Sequence, residues 1–121
     1  MRMAEIGYEG PPPIDSYGGG GFRIAGGFHE GDLLMFGPEP QSWTPGDLGE
    51  DAFRPLIDAA SGVDILLVGM GAEIAALPIA ARKALEDAGI GVEVMATSAA
   101  CRTYNVLLAE DRRVAVALKA V

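Results

Sequence analysis

The densest cluster of chemistry-bearing side chains in the sequence is Arg102-Thr103-Tyr104-Asn105, set in a stretch that otherwise has the apolar spacing of a core-facing helix. Arg102 and Asn105 stand at i and i+3 and so share a helical edge. Glu93, inside an apolar run, and Asp64, at the start of another, supply carboxylates. Two chemistries fit. One is a structural network in which a partly buried Arg102 pairs with Glu93, Asp64 or Asp15 and is steadied by Tyr104 and Asn105. The other is an anion or carboxylate pocket anchored on Arg102 and bounded by Gly69-Met70-Gly71, at the carboxyl ends of strands where open α/β sheets bind ligands. Under either reading, loss of Arg102 is expected to cost about 3–5 kcal/mol by leaving a buried carboxylate unpaired.

Other motifs are weaker. Gly69-Met70-Gly71 resembles the first half of a dinucleotide fingerprint, but position 74 is Ile74 rather than the third glycine. The run Gly18-Gly19-Gly20-Gly21 suits a loop with positive φ angles or an anion nest, without the Lys-Ser/Thr of a P-loop. His29 is the sole histidine and no Gly-x-Ser-x-Gly elbow exists, so nucleophilic catalysis would need His29 to meet Ser98 or Cys101 across the fold. Cys101 falls in the first turn of a helix, where the macrodipole lowers a thiol pKa, although a small buried residue is the commoner use. One His and one Cys offer no metal-ligand spacing. No catalytic residue, metal or cofactor is expected.

Composition narrows the partners. The 121 residues carry 9 Lys+Arg against 17 Asp+Glu, a formal charge of −8. The sequence pI is near 4.4 and the mean hydropathy +0.25. Half of the residues are hydrophobic, enough for one packed domain. A balance this acidic, with no basic run beyond Arg82-Lys83 and Arg112-Arg113, argues against nucleic acid and anionic membrane surfaces. The apolar stretches at 65–72 and 74–81 are interrupted by Gly69, Gly71, Glu73 and Pro78, so no integral membrane segment is expected. A single cysteine and an N-terminus without a signal-peptide run point to the cytoplasm. The acids at Asp32, Glu50-Asp51, Glu86-Asp87 and Glu110-Asp111 read as solubility, leaving Arg23 and Arg102 as the cations of interest.

The elements that must position these residues follow from period and punctuation. Residues 1–13 read as a flexible Pro-rich lead-in and 14–121 as one α/β domain. Phe22–Ala25 and Asp32–Phe36 predict two antiparallel strands of a hairpin joined through 26–31. The Pro/Gly-rich stretch 37–49 predicts a surface excursion plugged by Trp43. Phe53, Leu56, Ile57 and Ala60 predict a short helix over 52–60 with Pro55 in its first turn. Val63–Val68 predicts the central strand, covered on both faces. Pro78–Ala88 predicts a helix that stops at Gly89, 90–96 a strand, Thr97 or Ser98 the cap of a helix to about Ala109, and Val114–Leu118 a last strand. Strands alternating with helices imply a layered α/β sheet with right-handed crossovers.

In order along residues 14–121, Asp15, Tyr17, Gly18, Gly21-Phe22-Arg23, His29, Gly31, Trp43, Leu66 to Gly71, Pro78, Gly89, Glu93-Val94-Met95, Thr97, Ala100 and Arg102 to Asn105 resemble a small α/β family. Its bacterial members are uncharacterised, and its relatives include mitochondrial complex I (NADH dehydrogenase) assembly factor three and an adipogenesis-associated Mth-type domain protein. The resemblance implies a single-domain three-layer sandwich: a central mixed β-sheet, helices on one side and an antiparallel β-hairpin layer at the N-terminal side. Where that family usually has Gly-Thr-Gly after the central strand, this chain has Met70, which removes a hydroxyl from the turn.

The expectation is therefore a non-enzymatic cytoplasmic domain that acts through a protein partner, by resemblance in respiratory complex assembly. The alternative is a small-molecule (anionic ligand) binding protein or an undiscovered enzyme. Its pocket would be lined by Gly69, Met70, Gly71, Glu93, Thr97, Arg102, Thr103, Tyr104 and Asn105, with Asp15, Tyr17, Arg23 and Asp64 as an accompanying polar network. A homo-oligomer joined through the Trp43 loop or the hairpin edge is a third expectation.

Overall fold

The computed structural model describes residues 10–59, 62–72 and 75–121. A three-stranded antiparallel sheet comes first: β1 (Ile14–Gly18), β2 (Gly21–Ile24) and β3 (Gly27–Glu30), in that spatial order. Both of its hairpins turn on two residues. Gly19 and Gly20 have φ of +67° and +83°, and Ala25 and Gly26 have +51° and +84°, the pair of positive values that matches the right-handed twist of the flanking strands. The expected hairpin between 22–25 and 32–36 therefore does not form. Phe22 pairs instead with Tyr17 and His29, and the chain leaves the small sheet after Glu30. The glycine run is a turn required by the hairpin.

The main sheet contains β4 (Leu33–Met35), β5 (Gln41–Ser42), β6 (Ile65–Gly69), β7 (Gly91–Met95) and β8 (Val114–Leu118), in the order β5-β4-β8-β6-β7. β6 runs parallel to β7 and β8, and β4 antiparallel to β8 and β5. The middle strand is thus β8, and the Val63–Val68 run expected at the centre lies beside it. β6, β8 and β4 alternate between two cores. Leu34, Leu66, Val68, Ala115 and Ala117 face one way, and Leu33, Met35, Leu67, Val114, Val116 and Leu118 face the other.

The helices divide accordingly. A 3-10 turn over Glu50–Phe53 runs into α1 (Arg54–Ala59), with Pro55 in the first turn; Ala60, the last residue of the expected helix, lies outside the described residues. α1 and α2 (Ile79–Asp87) cover the first core, with Phe53, Leu56, Ala81 and Leu85 inward. Trp43 plugs this side: its indole N–H donates to the Ala52 carbonyl at 2.8 Å and its ring lies 5.8 Å from that of Phe53. Trp43 is itself buried, while Gln41, Ser42 and Thr44 beside it in the loop are exposed. α3 (Thr97–Ala109) lies on the opposite face, sharing its layer with the small sheet. Handedness demands this division. From β6 the chain steps outward to β7, then back over β6 to β8, and two right-handed crossovers in opposite directions place their helices on opposite faces. The helices are not all on one side, as the resemblance implied.

Of the lead-in, residues 1–9 lie outside the described residues, while Pro12 is buried against the domain. Ala25 is the one non-glycine at a two-residue hairpin turn with positive φ, a conformation that crowds Cβ by about 1–2 kcal/mol. Asn tolerates it, and Asn-Gly is the favoured pair for this turn. Ala25→Asn is accordingly expected to raise stability by about 0.5–1 kcal/mol in urea unfolding with an unchanged denaturant slope; a loss would show that the turn is not of this type.

Candidate functional site

At the carboxyl end of β6 the two glycines have different reasons to be there. A Cβ on Gly69 would lie 2.8 Å from Leu118 Cδ2 and 2.9 Å from the Thr97 Cα, so the first glycine lets the start of α3 pass against the strand. Gly71 has φ +86°, so the second sets the turn. Between them Met70 is buried in the α1/α2 core. The backbone groups of this turn are already paired. Met70 N–H donates to Met95 O at 2.8 Å, Thr97 N–H to Gly71 O at 2.9 Å, and Lys119 N–H to Gly69 O at 2.9 Å. Thr97, wholly buried, does not cap α3, whose cap residue Ala96 has no side-chain bond. Its hydroxyl accepts from Gly71 N–H at 2.9 Å and donates to Lys119 O at 2.7 Å. Among the described residues, these backbone groups at the strand-order reversal between β6 and β7 are therefore taken up by hydrogen bonds within the protein.

The Arg102–Asn105 block divides along the helix. Tyr104 and Asn105 turn toward the N-terminal segment. The Tyr104 hydroxyl donates to Pro12 O at 2.6 Å. The Asn105 amide accepts from Ile14 N–H at 2.9 Å and donates to Ile14 O at 2.8 Å, pairing with β1 as a neighbouring strand would. Burial raises the Tyr104 phenol well above its ordinary pKa. Arg102, by contrast, is exposed and among the described residues has no ion-pair partner. The buried network around it does not exist, and with it goes the expected 3–5 kcal/mol for its removal.

The expected carboxylates are elsewhere. Asp64 precedes β6 and bonds in fork geometry to Arg113 at 3.0 and 3.2 Å. It lies at the opposite end of a five-residue strand from the Gly69–Gly71 turn, a separation of roughly 17 Å at about 3.3 Å per residue. Glu93 is exposed on the edge strand β7, and Asp15 is exposed where the β1–β2 register slips. Thr103 is half-buried on α3. Tyr17 and Arg23 belong to the small sheet.

One polar knot escaped the sequence reading, which assigned Asp32 to solubility. Its carboxylate accepts from Ala120 N–H at 2.7 Å, and its carbonyl accepts from Trp43 N–H at 3.1 Å and from His29 Nε2 at 3.0 Å. Only its position between two strand-like runs could have signalled this. Cys101 is buried, and desolvation pushes its thiol up to about 11 against a smaller opposing pull from Arg102. Burial outweighs the helix-terminus effect. Among the described residues no three His, Cys, Asp or Glu side chains converge on a metal-sized site, and no helix is long and apolar enough to cross a membrane.

Asn105→Leu, which strands both polar groups of Ile14, is expected to cost about 2–3 kcal/mol and Tyr104→Phe about 1–2, whereas Arg102→Ala leaves the melting temperature unchanged. An Arg102 loss as large as that of Asn105 would restore the buried network. For Cys101, a raised folded-state pKa means that the folded protein holds the proton more tightly, so stability present below pH 9 is lost as pH rises from 9 toward 11. Native protein should therefore resist iodoacetamide at pH 8 and react promptly in denaturant; rapid labelling of the native fold would show an accessible thiolate.

A family model described as a protein of unknown function (DUF498/DUF598) matches residues 14–119. The chain is 48% identical over 118 residues to an uncharacterized protein of Rhodobacter capsulatus, covering 98% of this chain and 92% of that one. It is 33% identical over 108 residues to human NADH dehydrogenase [ubiquinone] 1 alpha subcomplex assembly factor 3, covering 87% of this chain but 59% of the human protein. Among solved structures, one described as an outer membrane protein from Bartonella henselae superposes with a TM-score of 0.84 at 36% identity, covering 94% of this chain and 98% of that one. A Bordetella pertussis protein described as a Mth938-like domain gives 0.76 at 28%, covering 90% and 85%. Similarity along almost the whole domain, from β1 through β8, makes this chain a member of the DUF498/DUF598 family.

Proposed function

We propose that this chain is a non-enzymatic cytoplasmic domain that acts through a protein partner in the assembly of a respiratory NADH dehydrogenase. Similarity to assembly factor 3 supports the process. A buried free thiol is in keeping with a reducing compartment. The residues that looked chemical support the absence of catalysis, because Thr97, Tyr104 and Asn105 each bond to backbone groups that hold the fold together.

The observation that carries the partner is the outer edge of β7. Gly91 N–H donates to Asp64 O, and Met95 O accepts from Met70 N–H. The odd-numbered residues of β7 therefore turn their backbone to β6, and alternation turns the N–H and C=O groups of Val92 and Val94 away from the sheet. Arg82 covers Val92 O at 3.3 Å. Among the described residues nothing takes the outward N–H and C=O of Val94, to which an extended segment of another protein can add as a strand. Glu93 selects against a second copy. A two-fold antiparallel pairing about it would set two carboxylates directly opposite one another, whereas a partner with Lys or Arg there gains a cross-strand ion pair. The competing anionic-ligand reading at the Gly69–Gly71 turn would use Arg102 without the N–H groups of Met70, Gly71 and Thr97, which are engaged within the protein.

Cells of the source organism lacking the gene are expected to accumulate less assembled NADH dehydrogenase on native gels. The wild-type gene should restore it. Val94→Pro should not, although its fold survives, because the N–H that proline removes faces outward. Full levels of the complex in the deletion strain would contradict the proposal, and rescue by Val94→Pro would remove the β7 edge from it.

A further inference from the structure

The outward face of the small sheet carries a built cleft. β1–β3 bury Ile14, Phe22 and Ile24 inward and set Ser16 and Phe28 directly opposite Arg23, on its two neighbouring strands. Gly21 shapes this face. A Cβ there would collide first with the His29 carbonyl oxygen and would also lie 2.7 Å from the Phe28 ring, so the β3 backbone and the ring both come close to β2 where the side chain is missing. The Arg23 guanidinium carbon stands 5.5 Å from the ring centroid, within cation–π range. Phe28 is still 47% exposed. Ser16, Tyr17, Gly18, Gly19, Arg23 and Phe28 line an open cleft of about 390 Å³.

Among the described residues no carboxylate lies within salt-bridge reach of Arg23. A guanidinium held on a ring presents its N–H fork edge-on, the geometry that receives both oxygens of a planar carboxylate. The exposed face of Phe28 offers an apolar surface for whatever bears that carboxylate. One cation on a chain of net charge −8 suits a monoanion and repels a phosphate dianion. The volume falls at the small end of ligand sites and fits a group of amino-acid size. We propose that this cleft binds a carboxylate attached to a flat apolar group, with Arg23 taking the oxygens and Phe28 the apolar body. The carboxylate belongs either to a free small molecule or to a residue of a bound protein. The site is remote from the β7 edge in sequence and sheet, and it stands or falls without it.

The test is an amide-resolved NMR titration of the full chain with benzoate, benzamide, phenyl phosphate, and N-acetyl-phenylalanine either free or as the C-terminal residue of a capped tetrapeptide. Benzoate should shift amides in 16–23 and 27–29 saturably, and benzamide should not. Arg23→Gln should weaken binding at least about tenfold with the remaining spectrum unchanged, Arg23→Lys less, and Arg102→Gln not at all. Tighter binding of the tetrapeptide than of N-acetyl-phenylalanine assigns the carboxylate to a protein; equal binding assigns it to a small molecule. No saturable shift, equal binding of benzamide, or full binding by Arg23→Gln overturns the proposal, and tighter binding of phenyl phosphate overturns the choice of carboxylate.

Discussion

The architecture depends on one side chain that behaves as backbone. Asn105 bonds to both the N–H and the C=O of Ile14, and Tyr104 one residue earlier holds Pro12 O. β1 is thereby gripped on one edge by β2 and on the other by a helix. A small sheet depends on a covered hydrophobic face; tied to α3, this one buries Ile14, Phe22 and Ile24 against Leu33, Met35, Leu67 and Val116. The outward presentation of Arg23 and Phe28 follows from the same tether, because the alternation of β2 fixes which face is inward.

At the other end of α3, Thr97 plays a matching role. It joins the turn after β6 to the strand leaving β8 through one hydroxyl, where Gly69 permits the close approach. The helix is thus pinned at both ends by polar contacts that lie off the apolar stripe, while Ala100, Cys101 and Tyr104 supply the packing. A buried cysteine there needs smallness rather than reactivity, and its desolvated thiol accords with that use.

Much of this was legible in the sequence. The strand and helix runs from Val63 onward were readable because period and Gly/Pro punctuation agree there, and the family resemblance supplied the mixed sheet and the layers. Strand order was not legible. Nothing in Val114–Leu118 says that it inserts between β4 and β6, and without that step α3 cannot be assigned to the face opposite α2. The early hairpin is not legible because Ala25-Gly26 lacks the Asn or Asp that marks a two-residue turn, while Gly31 punctuates the sequence more plainly. The Arg102 block misled for a geometric reason. Positions two apart on a helix differ by about 200°, so an inward Tyr104 turns Arg102 to solvent, while Asn105, about 100° from Tyr104, falls at the boundary where it meets β1. Adjacency in sequence suggested one site where the helix makes two surfaces.

The central claim is that the Tyr104–Asn105 pair is a tether between layers, and native-state hydrogen exchange of an Asn105→Ala variant tests it most directly. The account predicts that amides of 14–24 and 27–30 lose protection by local opening while those of β6 and β8 keep theirs. An equal loss of protection across both sheets, or none in the small sheet, would contradict it.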